Sequence, residues 1–149
     1  MGTPEGADLA GTGPAEAALT ETDAAVVRDT LEQVSARVAD PTPHVFRRLF
    51  QDMPETEALF VRDGDALVRG QMFQVTMESL MDFLGDRAYG ASLIQIERIN
   101  HQGLGVETEM FDRFYWTVMG AFRDILGDDW TPAMDTAWTR VITALTRKA

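Results

Sequence analysis

From residue 20 onward the apolar side chains recur at steps of three and four, the spacing that gathers them on one face of an α-helix. Val27, Leu31, Val34 and Val38 form the first such stripe, and Thr20 followed by Asp23 has the spacing of a capping box. Asp40-Pro41-Thr42-Pro43 ends that helix. Thr42 as cap, with Pro43 in the first turn, opens a second helix that buries Phe46, Leu49 and Phe50. Pro54 starts a short helical piece that runs to Phe60. After the turn-like Asp63-Gly64-Asp65, a helix over 66–84 presents Phe73, Met77, Leu80, Met81 and Leu84 on one face, with Gln, Glu and Ser on the other.

Gly85-Asp86 and Gly90 flank the next loop, and 93–100 reads as a short helix that meets His101 and is stopped by Gly103 and Gly105. Phe111, Phe114, Tyr115, Val118, Phe122 and Ile125 mark a long apolar helix ending at Gly127-Asp128-Asp129. Thr131 with Pro132 caps the last one, in which Met134, Trp138, Val141 and Leu145 form the buried stripe and Arg147 and Lys148 suit the negative C-terminal end. There is no alternating run of four or more β-branched residues and no repeat, so the chain reads as all-α, with six to seven helices of uneven length. Residues 1–20 hold four of the 12 glycines and two of the 6 prolines, with no aromatic residue and no apolar periodicity. They read as a flexible, acidic, Gly/Pro/Ala-rich N-terminal tail ahead of one domain over 21–149.

Composition narrows the function classes. A chain of 149 residues has the size of one domain, and 45% hydrophobic with 9% aromatic residues is globular composition. The net charge of −11 repels nucleic acid and anionic lipid headgroups. No apolar run approaches the roughly 20 residues of a membrane span. The first basic residue is Arg28, so the N-terminus lacks the charged region of a secretory signal, and a soluble cytoplasmic protein is expected. With no cysteine and only His44 and His101, thiolate zinc sites, iron–sulfur clusters and histidine-rich metal sites are excluded.

Little conventional catalytic chemistry is available. Ser35, Ser79 and Ser92 lie in no nucleophile motif. Gly11-Thr12-Gly13 has neither the preceding strand nor the following Lys of a phosphate loop, and Asp63-Gly64-Asp65 lacks the later ligands of a calcium loop. The acidic pairs Asp128-Asp129 and Glu107 with Glu109 sit where carboxylates favour a helix start, and the 8 methionines at helical spacing read as core filling. His101 remains. A lone His at a helix end is usually structural, so what surrounds it decides its reading.

Four stretches in order supply that context. Pro54-Glu55-Thr56-Glu57-Ala58-Leu59-Phe60 resembles the start of the third helix and the following corner of globins, whose Phe packs flat on the haem. His44-Val45-Phe46-Arg47-Arg48-Leu49-Phe50 is similar to the globin second helix. His101-Gln102-Gly103-Leu104-Gly105-Val106 resembles the proximal histidine and its Gly-Val corner. Leu126-Gly127-Asp128-Asp129-Trp130-Thr131-Pro132, with Ala137-Trp138, is similar to the last turn and final helix of bacterial single-domain globins and of the globin domain of flavohaemoglobins. The resemblance covers about residues 22–146.

The resemblance implies a globin-like three-over-three helical sandwich over 21–149, holding haem b (iron protoporphyrin IX) by iron coordination from His101. It implies reversible binding of a diatomic gas, O2, NO or CO, in a carrier, scavenger or sensor. Phe60 would cover the haem face, Val106 would lie beneath its edge and Phe111 would form a further wall. Two distal registers compete, and the first is preferred because Phe73, Met77, Leu80 and Leu84 make the cleaner buried face. If Gly70 lets the second and fourth helical segments approach, Arg69 takes the distal position, with Phe73 over the iron and Met77 one turn on; if Met72 and Phe73 form the usual apolar pair, Val68 takes it. Phe46 stands where flavohaemoglobins carry a Tyr, and Glu97, one turn before His101, stands where globins commonly place an apolar residue. The chain has no room for a flavin reductase module, so catalytic turnover by itself is not expected. A separate reductase and a homodimer are both compatible with the pattern. The other reading is a globin-fold protein without haem, acting as a regulatory or protein-interaction module.

Overall fold

Thr20 opens the first helix as its spacing predicts. Its hydroxyl accepts from the Asp23 amide and the Asp23 carboxylate accepts from the Thr20 amide, each at 3.1 Å. The computed structural model describes residues 19–148, so the expected tail lies, but for its last two residues, outside the described residues. The chain then forms α1 (Glu21–Arg37), α2 (Thr42–Asp52), a 3-10 segment (Pro54–Phe60), α3 (Leu67–Leu84), α4 (Gly90–Gly103), α5 (Thr108–Leu126), a second 3-10 turn (Gly127–Asp129) and α6 (Pro132–Lys148). Among the described residues there is no strand.

The helices form two layers, α1, α3 and α4 over α2, α5 and α6. Within a layer α3 packs on α4, α2 on α5 and α5 on α6, while α1 lies across α6 and α5, α4 meets α5, and α2 meets α3. The core between the layers is filled by Phe46, Phe122, Trp138, Leu80 and Ile94, all nearly inaccessible to solvent. Two arginines of α1 close the ends of other helices. Arg28 donates to the Leu84 carbonyl at 2.8 Å at the end of α3, and Arg37 donates to the Leu126 carbonyl at 3.0 Å at the end of α5 and pairs with Asp129.

Three local expectations change. Thr42 is the first residue of α2 rather than its cap: Pro41 holds the cap position, and the Asp40 carboxylate just before it accepts from the Thr42 amide at 3.0 Å. α4 begins at Gly90 rather than near Leu93, because Asp82 at the end of α3 accepts the amides of Ala88, Tyr89 and Gly90 at 3.1, 3.2 and 2.7 Å. That carboxylate, from another helix, satisfies the first N–H of α4 and the two amides that lead into it. α3 is also rotated from its expected face. Thr76 and Ser79 are buried, Phe73 and Met77 are half-buried, and Met81 is 43% exposed. The two hydroxyls fit inside because they donate to carbonyls of their own helix, at Met72 and Thr76, 2.8 Å each.

Glycines mark the close approaches, and Gly70 is not one of them. A Cβ on Gly70 would meet nothing within 4 Å, whereas one on Gly90 would stand 2.8 Å from Asp82 Oδ2 and 2.9 Å from the Ser79 carbonyl oxygen. At Gly120, on α5, the guanidinium of Arg48 from α2 lies across the missing side chain, 3.2 Å from where a Cβ would be.

Candidate functional site

α3, α4, α5 and the 3-10 segment enclose a slot of about 460 Å³. α3 contributes Val68, Gln71, Met72, Val75, Thr76 and Ser79; α4 contributes Leu93, Ile94, Glu97, Asn100 and His101. Phe60 comes from the 3-10 segment, Leu49 from α2 and Met53 from the residue that follows it, Val106 from the corner after α4, and Met110, Phe111, Phe114 and Tyr115 from α5. The lining is aliphatic and aromatic with a few polar groups, which is the usual make-up of a small-molecule or cofactor site. Three lining side chains, Leu59, Val68 and Leu104, are more than half exposed, so an apolar ligand seated there gains by covering them.

His101 has a defined proton. Its Nδ1 lies 2.7 Å from the Glu97 carbonyl oxygen, which can only accept, so Nδ1 carries the hydrogen. In neutral imidazole that leaves Nε2 with the lone pair, the form that binds a metal. The Phe111 ring stands edge-on to the imidazole, 4.9 Å between centroids, and limits its rotation. Among the described residues no group of three or more His, Asp or Glu could hold a metal ion, so a metal at His101 must arrive with most of its ligands already attached.

Of the residues singled out from sequence, His101, Phe60, Val106 and Phe111 share this slot, and Phe46, Arg69, Phe73 and Met77 do not line it. Phe46 is buried behind the wall, where it packs on Phe60 at 5.3 Å and on Phe114 at 5.5 Å and so holds Phe60 in place. Phe73 packs edge-on against Phe122 in the core at 6.3 Å. Met77 faces a separate shallow groove with Gln74, Glu78 and Met81. Arg69 turns back to the start of its own helix, where Nε donates to Asp63 Oδ2 at 3.0 Å. Val68, the other distal candidate, lines the slot.

Asp63 organises that end of the slot. Its carboxylate accepts the Val68 and Arg69 amides, both at 3.0 Å, beside Ala66, which sits at a positive φ of 61°. Burial pushes the Asp63 carboxyl up, but these two amides and the Arg69 guanidinium outweigh it and hold it below its ordinary value. Asp82 behaves alike at the start of α4: burial raises it, and the amides of Gly90, Tyr89 and Ala88 bring it below the ordinary value.

Gln71, Thr76, Ser79 and Tyr115 were not singled out from sequence as site residues. Gln71 falls between Val68 and Val75 at helical spacing, which is the signal that it shares their face. The Ser79 hydroxyl donates to the Thr76 carbonyl, so the 2.9 Å contact with Tyr115 has the Tyr115 hydroxyl donating to Ser79. Burial pushes the Tyr115 phenol up to about 12, partly offset by Ser79, so it stays neutral at physiological pH. Glu97 is the one carboxylate in the lining, which contains no Lys or Arg.

No helix among the described residues is long and apolar enough to cross a membrane. Compared with models of known families, residues 43–148 match that described as Globin. No curated protein and no solved structure matches the chain.

Proposed function

The chain belongs to the globin family, whose model covers well over half of it, and on that premise we propose that the slot binds haem b and that the protein takes up a diatomic gas there. The observation that carries the proposal is His101. It is a single imidazole with Nδ1–H fixed on a backbone carbonyl and Nε2 left as a ligand, in an apolar slot that offers no other metal-binding cluster. One protein ligand suffices for a metal where a macrocycle supplies the rest, and haem bound by one His is such a case.

Haem held by His101 would supply the iron chemistry that binds O2, NO or CO. The chain's own residues do the remainder. Glu97 orients His101 through its carbonyl, and Phe60, Phe111 and Val106 provide apolar walls. Val68, Gln71 and Met72 form the α3 wall, with Gln71 the amide donor available to a polar ligand. Arg69, committed to Asp63, plays no part in ligand contact. Carrier, scavenger or sensor is the proposed role, with electrons, where needed, from a separate reductase. A soluble, cytoplasmic protein of bacterial single-domain type fits this reading.

The second reading is a haem-free globin-fold module that regulates or docks, and one observation favours it. The slot carries the Glu97 carboxylate and no basic side chain to meet the two carboxylates of a haem. Titration of the purified protein with haemin separates the two. A one-to-one Soret complex whose reduced form shifts with carbon monoxide is expected; absence of a saturable complex overturns the haem reading and leaves the haem-free module.

A further inference from the structure

Two oxygens of Glu97 face the same ring nitrogen. The backbone carbonyl takes the Nδ1 proton of His101 at 2.7 Å, while the side-chain Oε2 of the same residue stands 3.8 Å from that nitrogen. The i, i+4 spacing on α4 makes the second contact a property of the helix rather than of a distant fold contact. Both side chains are largely withdrawn from water, Glu97 at 30% and His101 at 20% exposure, so screening between them is reduced. Among the described residues no Lys or Arg forms an ion pair with Glu97. Arg98, the next residue along, places its guanidinium on Asp112, with Nε and Nη2 each at 2.9 Å, and on the Thr146 carbonyl at 2.7 Å. Phe111 blocks the ring from swinging clear.

We propose that Glu97 is a positioning residue whose charge, acting through His101, holds the reduction potential of the proximal iron low and favours its ferric form. The inference rests on the haem reading above. A negative group beside the outer nitrogen of a ligating imidazole makes it more basic, and a more electron-rich ligand stabilises the more highly charged metal. The carbonyl orients the ring and, as a neutral acceptor, raises its basicity a little; the side-chain carboxylate adds the effect of a full charge.

Glu97→Gln separates them, since it keeps the backbone carbonyl and the side-chain shape and removes only the charge. The measurement is a spectroelectrochemical titration of haemin-loaded wild type, E97Q and E97L, with E32Q on α1 as a control for net charge. Expected is about a tenfold rise in the ferrous-to-ferric ratio at fixed poise for E97Q, ~59 mV for one electron, with E97L moving the same way and E32Q unmoved. E97L supplies the test should E97Q fold poorly. Haemin complexes with unchanged potential in both Glu97 variants overturn the role of Glu97 and leave the haem site standing. Failure of the wild type to form a one-to-one complex overturns the haem reading itself, and this inference with it.

Discussion

His101 and His44 are the two histidines of the chain, and the structure gives them different surroundings. His101 lines the slot with its Nδ1 committed, whereas His44 is half-buried on α2 and does not line it. His101→Ala is expected to abolish stoichiometric haem retention with helicity unchanged, while His44→Ala leaves the haem spectrum as it was; Soret titration and circular dichroism read both. The same spectrum after His101→Ala would sink the proximal assignment. Arg69→Leu is expected to leave the rate of ligand dissociation unchanged but to lower the thermal midpoint, because Asp63 loses a guanidinium partner. A faster dissociation would bring Arg69 back into the distal site. At this scale the shared location of His101, Phe60, Val106 and Phe111 in the slot was legible, since each stands in or beside a stretch that resembles the globins. The α3 wall was less so. One residue of slip turns a helix face by about 100°, so Arg69, Phe73 and Met77 drop out of the lining and Val68, Gln71 and Met72 enter.

At the scale of elements, the two helices that face each other across the slot are each tied at their start by one aspartate. Asp82 ties α4, and the backbone passes so close to it that only glycine fits at position 90. Gly90→Ala forces Asp82 or the Ser79 carbonyl to move and is expected to cost about 1–3 kcal/mol, the usual price of overpacking, measured by denaturant unfolding. Acid should act at the same points. Asp63 and Asp82 both have carboxyls held below the ordinary range in the folded state, so their contribution is complete above the unfolded value and is lost as pH falls through the folded one. Stability is expected to drop below about pH 4, the ordinary Asp range, and Asp82→Asn should flatten part of that drop. A titration of unfolding free energy as steep in Asp82→Asn as in wild type would contradict it. The start of α4 was not legible because its cap comes from a residue eight positions earlier in another helix. The capping box of α1 was legible because both partners lie within one turn.

For the molecule as a whole, a ligand that enters only the folded slot must stabilise the fold. Haemin at about a hundred times its dissociation constant is expected to add ~2.7 kcal/mol to unfolding, and to add nothing to His101→Ala. Unfolding curves with and without haemin check it, and equal stabilisation of both proteins would place the haemin elsewhere.

The sequence alone determined the all-α class, the helix count and the stripes of α1, α5 and α6, because helical periodicity and local caps are properties of neighbouring residues. It also singled out His101, in a chain with no cysteine and one other histidine. The tertiary structure decided which face of α3 meets the slot, where α4 starts and what stands beside the His101 ring. Those depend on contacts between different elements rather than within one helical turn: Asp82 with Gly90 across a turn, Tyr115 with Ser79 across two helices, Phe111 against His101. Spacing along one helix fixes which residues share a face; only packing against the others fixes which way that face turns.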